Sequence, residues 1–311
     1  MAEIEATAPG KIILFGEHAV VYGQPAIAIP LPDVQARAVV RPGKPGSGVQ
    51  IIAANLGRSI VVSPEFSDEH ALAVAVRLLL GRLQLPIPDL EVLLHSTIPL
   101  ASGLGSGAAA TTALLRALGL ALGRPLDPES LNGLVFEIEK LYHGTPSGID
   151  NTVIVYERPV YFVRGEAVET FGIESPLHLV VADTGVASPT RATVGDVRAL
   201  YEREPGRWGP LFERIGAISR EARRCIEQGD VPALGPLMRE NQALLRELTV
   251  SSPLLDKLVA VAEAAGAYGA KLSGGGRGGN LIALVAPELV PVVASALEEA
   301  GARRTIRATV A

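Results

Sequence analysis

The sequence has few of the residues that cross-link small proteins or bind soft metals. Cys225 is the only cysteine among the 311 residues, so an intramolecular disulfide and a cysteine-based metal site are both excluded. The five histidines are scattered and show no HExxH-type spacing. Aromatic residues make up 4% of the chain. The core must therefore be built mainly from Ala, Val, Leu and Ile.

The chain also lacks an excess of positive charge and a long apolar run. The formal net charge of −5 gives no general attraction to nucleic acid or to an anionic membrane. No uninterrupted apolar run is long enough to cross a bilayer. The N-terminus lacks the charged-then-apolar pattern of a signal peptide. We therefore expect a soluble cytoplasmic protein that binds neither nucleic acid nor membranes.

The remaining composition is that of a folded protein with a large core. Hydrophobic residues make up 48% and charged residues 20% of the chain, and its length suits one large domain or two ordinary ones. Alternation in VQARAVVR predicts a half-buried strand, whereas EHALAVAVRLLLGRL and residues 107–122 have helical patterns. Strands and helices mix without strict alternation, which favours an α+β fold. A polar stretch near residues 165–175 predicts two domains, 1–170 and 171–311.

Local patterns predict the structure around three further segments. Residues 3–8 read as a first strand that ends at the break Pro9-Gly10, and AVVY reads as a short apolar run of the strand type. A helix beginning at Pro128 runs to about Tyr142 and leads into HGTPSGIDN. The run TVIVY then reads as a strand. This pattern places Asp150 on a turn, either as a capping residue or as a catalytic carboxylate.

A glycine-rich loop, PLASGLGSGAA, runs from Pro99 to Ala109. It leads into the predicted helix over residues 107–122, which is rich in small residues. Glycines let backbone amides approach a ligand. The start of a helix adds unpaired N–H groups and the positive end of its dipole. Tight helix packing would also select small residues, but three glycines directly before a helix favour an anion site, most often for phosphate.

The nature of the phosphate ligand is only partly constrained by these loops. Gly103, Gly105 and Ala108 fit a dinucleotide fingerprint loosely, but the insert PLAS separates them from the preceding strand. No GxxxxGK[ST] motif is present. A second loop, SGGGRGG over residues 273–279, precedes a strand-like run and also suits a tight turn. Two such loops in separate halves suggest phosphates bound in a cleft between domains.

Lys11, Glu139 and Asp150 are candidates for phosphoryl-transfer chemistry. Taken singly they read as a surface cation, a solvated helix residue and a helix cap. Together they could supply a cation, an oxygen ligand for Mg²⁺ and an acceptor for the proton of an attacking hydroxyl. Their spacing does not establish that they meet.

Four segments, in this order, resemble the GHMP kinases: APGKIILFGEHAVVYGQPAIA, IPLASGLGSGAAAT, HGTPSGIDN and KLSGGGRGGNLIAL. They span nearly the whole chain. The resemblance implies an N-terminal domain like domain 2 of ribosomal protein S5, a ferredoxin-like C-terminal domain, and ATP and Mg²⁺ as cofactors. GEHAVVYG and HGTPSGIDN are most similar to the branch that phosphorylates the C5 hydroxyl of mevalonate. A homodimer is also compatible with this family.

The resemblance assigns a role to each matching residue. Asp150 corresponds to the catalytic base, Lys11 to the lysine that orients it, and Glu139 to the magnesium ligand. The substrate-binding positions correspond to Glu17, His18 and Thr190. The nucleotide-binding positions are Pro99, Ala101, Ser102, Gly103, Leu104, Gly105, Ser106, Gly107, Ala108, Gly275 and Gly276.

Two positions depart from the family pattern. The family commonly reads GLGSSA, with the second serine assigned to Mg²⁺; here that position is Gly107, and either Ser106 substitutes as a ligand or water completes the shell. Arg277 replaces a residue that is often small, and either contacts a phosphate or points to solvent.

Three alternative functions stay open at this point. The first is another enzyme of the same family, which acts on the C3 hydroxyl of mevalonate, on phosphomevalonate or on homoserine. A decarboxylase relative also belongs here, but the intact APGKIILFGEH and HGTPSGIDN disfavour it. The second is a non-catalytic nucleotide-binding relative, which Gly107 favours. The third is a dinucleotide-binding oxidoreductase, which the context of the glycine loops disfavours.

Overall fold

The computed structural model describes residues 3–53, 57–65, 69–99, 102–143, 146–188 and 190–311. These residues divide into two compact units. The first comprises Met1–Gly10, Val34–Pro99 and Gly105–Glu157, and the second comprises Lys11–Asp33, Leu100–Leu104 and Arg158–Ala311. Two strands, β1 (Ile4–Phe15) and β2 (Ala26–Pro42), pair with each other, and each contributes residues to both units.

The first unit is built on a sheet with one parallel pair. Its further strands are β3 (Val49–Ala53), β4 (Arg58–Val62) and β5 (Leu90–Ser96). The strand order is β4-β3-β5-β2. β3 and β5 run parallel, with Val49 opposite Leu90, whereas the β3–β4 and β2–β5 pairs are antiparallel.

Four helices pack on this unit. They are α1 (Ala71–Leu83), α2 (Ser106–Ala121), α3 (Pro128–His143) and α4 (Ile149–Tyr156). α1 contacts β4 and α2 contacts β5, while α4 packs against both α2 and α3. The buried side chains of α1, α2 and α4 are mainly Ala, Val, Leu and Ile, as the low aromatic content requires.

The second unit contains its own antiparallel sheet. Its further strands are β6 (Val160–Phe162), β7 (Glu169–Thr170), β8 (Leu177–Asp183), β9 (Gly269–Ser273), β10 (Asn280–Val285) and β11 (Arg304–Val310). Four of them form the sheet β11-β8-β10-β9. β6 pairs with the start of β2 and with β7.

Five helices complete the second unit. They are α5 (Thr190–Arg203), α6 (Pro205–Gln228), α7 (Leu234–Glu247), α8 (Pro253–Ala264) and α9 (Val290–Glu299). α7 and α8 contact β9, and α9 contacts β8 and β11. A 3₁₀ helix, Ala19–Tyr22, is held by a stack of Tyr22 on Phe212, with ring centroids 4.1 Å apart.

The expected α+β architecture is confirmed, and so are its strongly periodic elements. VQARAVVR lies within β2, where Val34, Ala36, Ala38 and Val40 are buried and the residues between them are less so. The helical patterns of EHALAVAVRLLLGRL and of residues 107–122 correspond to α1 and α2. Long patterns of this kind commit a segment to one structure because an entire face must be buried.

Three local predictions were wrong. TVIVY is part of helix α4 and is not a strand, because its apolar residues are buried against α2 and α3, and this packing overrides the weak strand preference of Val and Ile. AVVY is a 3₁₀ helix. β1 runs straight through Pro9-Gly10. In the described part of the chain β1 pairs only with β2, and such a strand tolerates the missing N–H of Pro9.

Across the described ranges, no helix is long and apolar enough to span a membrane. The predicted domain boundary between residues 170 and 171 stays a prediction.

Candidate functional site

Asp150 lies in the first turn of α4, where the helix dipole favours a carboxylate. Gly148 precedes the helix with φ 92°, a conformation that favours glycine, and the Ile149 amide donates to Ser147 Oγ at 3.4 Å. The side chain of Asp150 is half-buried. Gly144 and Thr145 of the same motif lie outside the described residues. The turn thus ends in a helix that presents the carboxylate from its amino end.

Two asparagines that the sequence analysis missed position this helix. Asn151 is 3% exposed, and its Nδ2 donates to Oδ1 of Asn132 on α3 at 2.6 Å. Thr152 Oγ1 donates to the carbonyl of Gly148 at 2.7 Å. The start of α4 is therefore tied to α3 one residue away from Asp150. Asn151 is the last residue of HGTPSGIDN, but Asn132 lies eleven residues before that motif, and no sequence signal pairs the two.

Glu139 lies on the same side of α3 as Asn132, since seven residues correspond to about two helical turns. Its side chain is 3% exposed. Ser106 is the first residue of α2, which packs against α3. The candidate magnesium ligands Glu139 and Ser106 thus belong to neighbouring helices of the same unit as Asp150. A cluster of three or more His, Cys, Asp or Glu side chains that could hold a metal is absent from the described residues.

The first glycine loop has the backbone geometry expected of an anion site. Gly103 and Gly105 have φ values of 81° and 76°. Gly105 precedes α2, and no side chain caps the first amides of this helix. Pro99, Leu104 and Ala108 are buried, Ser102 is 7% exposed, and Ser106 and Gly107 follow in the first turn of α2. Ala101 lies outside the described residues.

Lys11 is 4% exposed on β1, and its backbone amide donates to the carbonyl of Leu104 at 3.0 Å. The carbonyl of Ser102 accepts from Asn280 Nδ2. The second unit therefore holds Lys11 next to the loop segment 102–104. The predicted meeting of Lys11 with Asp150 joins residues of different units and stays a prediction.

Glu17, in the segment GEH at residues 16–18, forms a buried ion pair with Lys271. Lys271 Nζ donates to Glu17 Oε1, and the two side chains are 0% and 1% exposed. Lys271 also donates to the carbonyl of Leu272 at 2.7 Å. Burial raises the pKa of Glu17 and lowers the pKa of Lys271, against the attraction between the two charges. Lys271 opens the KLSGGGRGGN motif, but its pairing with Glu17 could not be read from the sequence.

His18 connects the same segment to the second glycine loop. Its Nε2 donates to the carbonyl of Gly275 at 3.1 Å, and the residue is 6% exposed. Its backbone has φ 61° and ψ −46°, a combination that residues with a side chain rarely adopt. Strained conformations of this kind cluster at functional sites. Burial is the main cause that lowers the pKa of His18 to about 4, so the imidazole is neutral near pH 7.

Because the pKa of His18 is lower in the folded state than its ordinary value of 6.5, acid must destabilise the protein through this group. The stabilisation is complete above pH 6.5 and is lost as the pH falls toward 4, since the unfolded chain then binds the proton more readily. We expect a loss of about 3 kcal/mol in the free energy of unfolding. Urea denaturation between pH 7 and pH 4 measures it.

His18→Gln should remove this part of the pH dependence, whereas the same change at the exposed His95 should leave it in place. Equal slopes in the two variants would contradict the assignment.

The second glycine loop, residues 274–279, touches the start of α5. A Cβ atom on Gly275 would lie 2.6 Å from Thr190 Oγ1, and one on Gly276 would lie 2.0 Å from the carbonyl oxygen of Val250. Only glycine fits these two positions. The structure therefore brings His18, Thr190, Gly275 and Gly276 into one connected set of contacts.

Known proteins resemble this chain over most of its length. The GHMP kinases N terminal domain matches residues 70–158, and the GHMP kinases C terminal domain matches residues 222–303. Mevalonate kinase of Pyrococcus horikoshii is 35% identical over 95% of this chain and 92% of its own length. Mevalonate kinase of Aeropyrum pernix is 37% identical over 90% and 87% of the two chains.

Solved structures give the same result. The crystal structure of L. major mevalonate kinase in complex with R-mevalonate has a TM-score of 0.85 at 30% identity and covers 98% of this chain and 95% of its own. Lactococcus lactis galactokinase shares the fold, with a TM-score of 0.77 at 19% identity over 99% and 92% of the two chains. The chain therefore belongs to the GHMP kinase family and is an ATP-dependent small-molecule kinase.

Proposed function

We propose that this protein transfers the γ-phosphate of ATP to the C5 hydroxyl of mevalonate, giving 5-phosphomevalonate and ADP, an early reaction of isoprenoid synthesis. The observation that carries the proposal is the likeness to mevalonate kinases over nearly the whole chain. The relative solved with R-mevalonate supports the same acceptor. The domains are proposed to be residues 1–170 and 171–311.

Asp150 is proposed to accept the proton of the attacking hydroxyl, and Lys11 to orient this carboxylate and stabilise negative charge. The placement of Asp150 at the amino end of α4 supports this role, because the positive end of the helix dipole interacts favourably with negative charge there. A weak base suffices, since the hydroxyl loses its proton late in a loose phosphoryl-transfer transition state. Positioning and charge stabilisation then supply most of the rate.

The residues of the first unit fit a magnesium site. Mg²⁺ prefers oxygen ligands and is usually held by one or two carboxylates together with phosphates and waters. The buried carboxylate of Glu139 and the hydroxyl of Ser106 form such a set on adjacent helices. When bound, the ion neutralises charge on the transferred phosphates. One carboxylate lies within that usual range, so the proposed site does not require a second serine at Gly107.

Glu139→Gln should raise the Mg²⁺ concentration that gives half-maximal activity by roughly tenfold or more, because a neutral amide replaces the charged ligand. Titration of MgCl₂ at fixed ATP measures this shift. Glu137→Gln, an exposed change on the same helix, is the matched control. An unchanged Mg²⁺ requirement in a folded Glu139→Gln variant would remove Glu139 from the metal site.

The two glycine loops are proposed to bind the nucleotide. The uncapped start of α2 supports this role for residues 102–108, because its free amides suit a phosphate. Gly275 and Gly276 let the backbone of the second loop lie close to its neighbours, because a side chain at either position would collide with them. On the acceptor side, Glu17, His18 and Thr190 are proposed to bind mevalonate. The strained backbone of His18 and its link to Gly275 support that assignment.

The deciding experiment is an acceptor screen with Mg·ATP. Mevalonate, 5-phosphomevalonate, homoserine and galactose are compared by ADP release, and ³¹P NMR locates the new phosphate. Mevalonate-dependent ADP with phosphate on C5 supports the proposal. Phosphate on C3, or turnover with another acceptor only, would replace mevalonate C5 as the target within the same family. ATP binding without turnover of any acceptor would favour a non-catalytic relative.

A further inference from the structure

Arg277 is bound on both sides within the second unit. Its guanidinium pairs with Asp196 on α5 through Nη1, and Nε donates to the carbonyl of Thr249 at 3.2 Å. Its backbone amide donates to the carbonyl of Val250 at 2.7 Å. One residue of the glycine loop thus contacts both α5 and the turn that precedes α8.

The backbone at Arg277 is in the left-handed region, with φ 57°. Among the glycines of the loop this conformation is unstrained, but a residue with a Cβ adopts it at a cost. The chain therefore keeps an arginine where glycine would fit the backbone better. A side chain retained in spite of strain points to a role for its contacts.

The partner of Arg277 lies on the helix that already touches the loop. Thr190, the first residue of α5, packs against Gly275, and Ser188 Oγ donates to the carbonyl of Gly276 at 2.9 Å. Asp196 lies further along the same helix. The ion pair gives α5 a second attachment to the loop, so that rotation of the helix would break it and move Thr190.

We propose that the ion pair between Arg277 and Asp196 is a positioning device that fixes the first turn of α5, with Thr190, against the glycine loop 274–279. The inference rests on the proposed function in one respect, which is that these two segments line the substrate site. Arg277 then acts through Thr190 and the loop and does not itself touch substrate.

The alternative role for Arg277 is direct contact with a phosphate. The geometry favours positioning, because the guanidinium already donates to a carboxylate and a carbonyl, and Asp196 neutralises its charge. The two roles predict opposite effects of removing Asp196. Loss of a positioning partner weakens substrate binding, whereas release of a phosphate ligand strengthens nucleotide binding or leaves it unchanged.

The first test is hydrogen–deuterium exchange of the ligand-free protein with the substitution Asp196→Asn, which leaves the loop sequence intact. We expect faster exchange in the peptides that cover 274–279 and the first turn of α5. The control is Glu240→Gln, which breaks an exposed pair with Arg214 at 2.5 Å between α6 and α7. Unchanged exchange in Asp196→Asn would overturn the proposal without reference to activity.

The second test is kinetic. Asp196→Asn and Arg277→Gly should each raise KM for the phosphoryl acceptor by about twofold to fivefold, the range that partly exposed ion pairs provide, with kcat and Tm nearly unchanged. The double variant should be no worse than either single one, because both remove the same contact. The exchanged pair Asp196→Arg/Arg277→Asp should recover part of the loss.

A lower or unchanged KM for ATP in Asp196→Asn, together with a higher one in Arg277→Gly, would overturn positioning and assign Arg277 to a phosphate. An unchanged KM for the phosphoryl acceptor in both variants would also overturn the positioning role. Failure of the proposed function can be told apart from failure of the positioning role, because it would appear in the acceptor screen of the unmodified protein. The exchange experiment does not depend on that screen.

Discussion

Asp150→Asn is expected to lower kcat by at least ~100-fold, the low end of what a positioned acid–base group contributes. The amide cannot accept the proton of the acceptor hydroxyl, while its shape matches that of the carboxylate. The loss should fall on kcat more than on KM, because the proton is transferred only in the transition state. Steady-state kinetics with saturating Mg·ATP measures the change.

The fold should survive this substitution. Asn keeps the shape of the side chain, and removing the charge costs its interaction with the dipole of α4, which is worth about 0.3–1 kcal/mol. Denaturation midpoints of Asp150→Asn and of the control Glu157→Gln, at the other end of α4, should therefore both stay close to that of the unmodified protein. A folded Asp150→Asn enzyme with near-normal kcat would exclude Asp150 as the base.

Lys271→Met is expected to have the largest effect on stability. It leaves the carboxylate of Glu17 buried without its cation, which costs about 3–5 kcal/mol when one member of a buried pair is removed. Chemical denaturation at pH 7 measures the loss. The matched control is Lys257→Met, because Lys257 is exposed and donates to a backbone carbonyl, that of Ala300 at 2.7 Å.

The double variant Glu17→Leu/Lys271→Met should recover most of that stability. Burial opposes both charges, as the raised pKa of Glu17 and the lowered pKa of Lys271 indicate, so the pair itself contributes little net stabilisation. If the pair is kept for function, the double variant should fold and yet bind mevalonate poorly. A loss below about 1 kcal/mol in Lys271→Met would show that Glu17 is not ionised in the folded protein.

Several features of the candidate site follow from short motifs. The glycines of SGLGSG predict a loop before α2, and the structure has left-handed glycines there followed by a helix without a side-chain cap. The helix from Pro128 agrees with the predicted pattern, whereas Glu139 on it is buried and is not the solvated helix residue suggested when it is taken singly. The loop and the helix could be predicted because each depends on the conformation of a few consecutive residues.

Predictions failed where distant packing determines the conformation. TVIVY has the composition of a strand, but α2 and α3 bury its apolar side chains and it is helical. As a result Asp150 is presented by a helix and not by a turn before a strand. The contacts of Arg277 show the same limit, since its partners Asp196 and Thr249 are 81 and 28 residues away in the chain.

The sequence by itself determined the α+β class, the order of the four motifs and the family to which the chain belongs, because residue type and local spacing carry that information. Only the tertiary structure decided that Lys271 neutralises Glu17, that His18 is held in a strained backbone against Gly275, and that Asn132 anchors the helix bearing Asp150. Each of these contacts joins residues far apart in the chain. Their energies come from burial and hydrogen bonding, which exist only after the elements have packed.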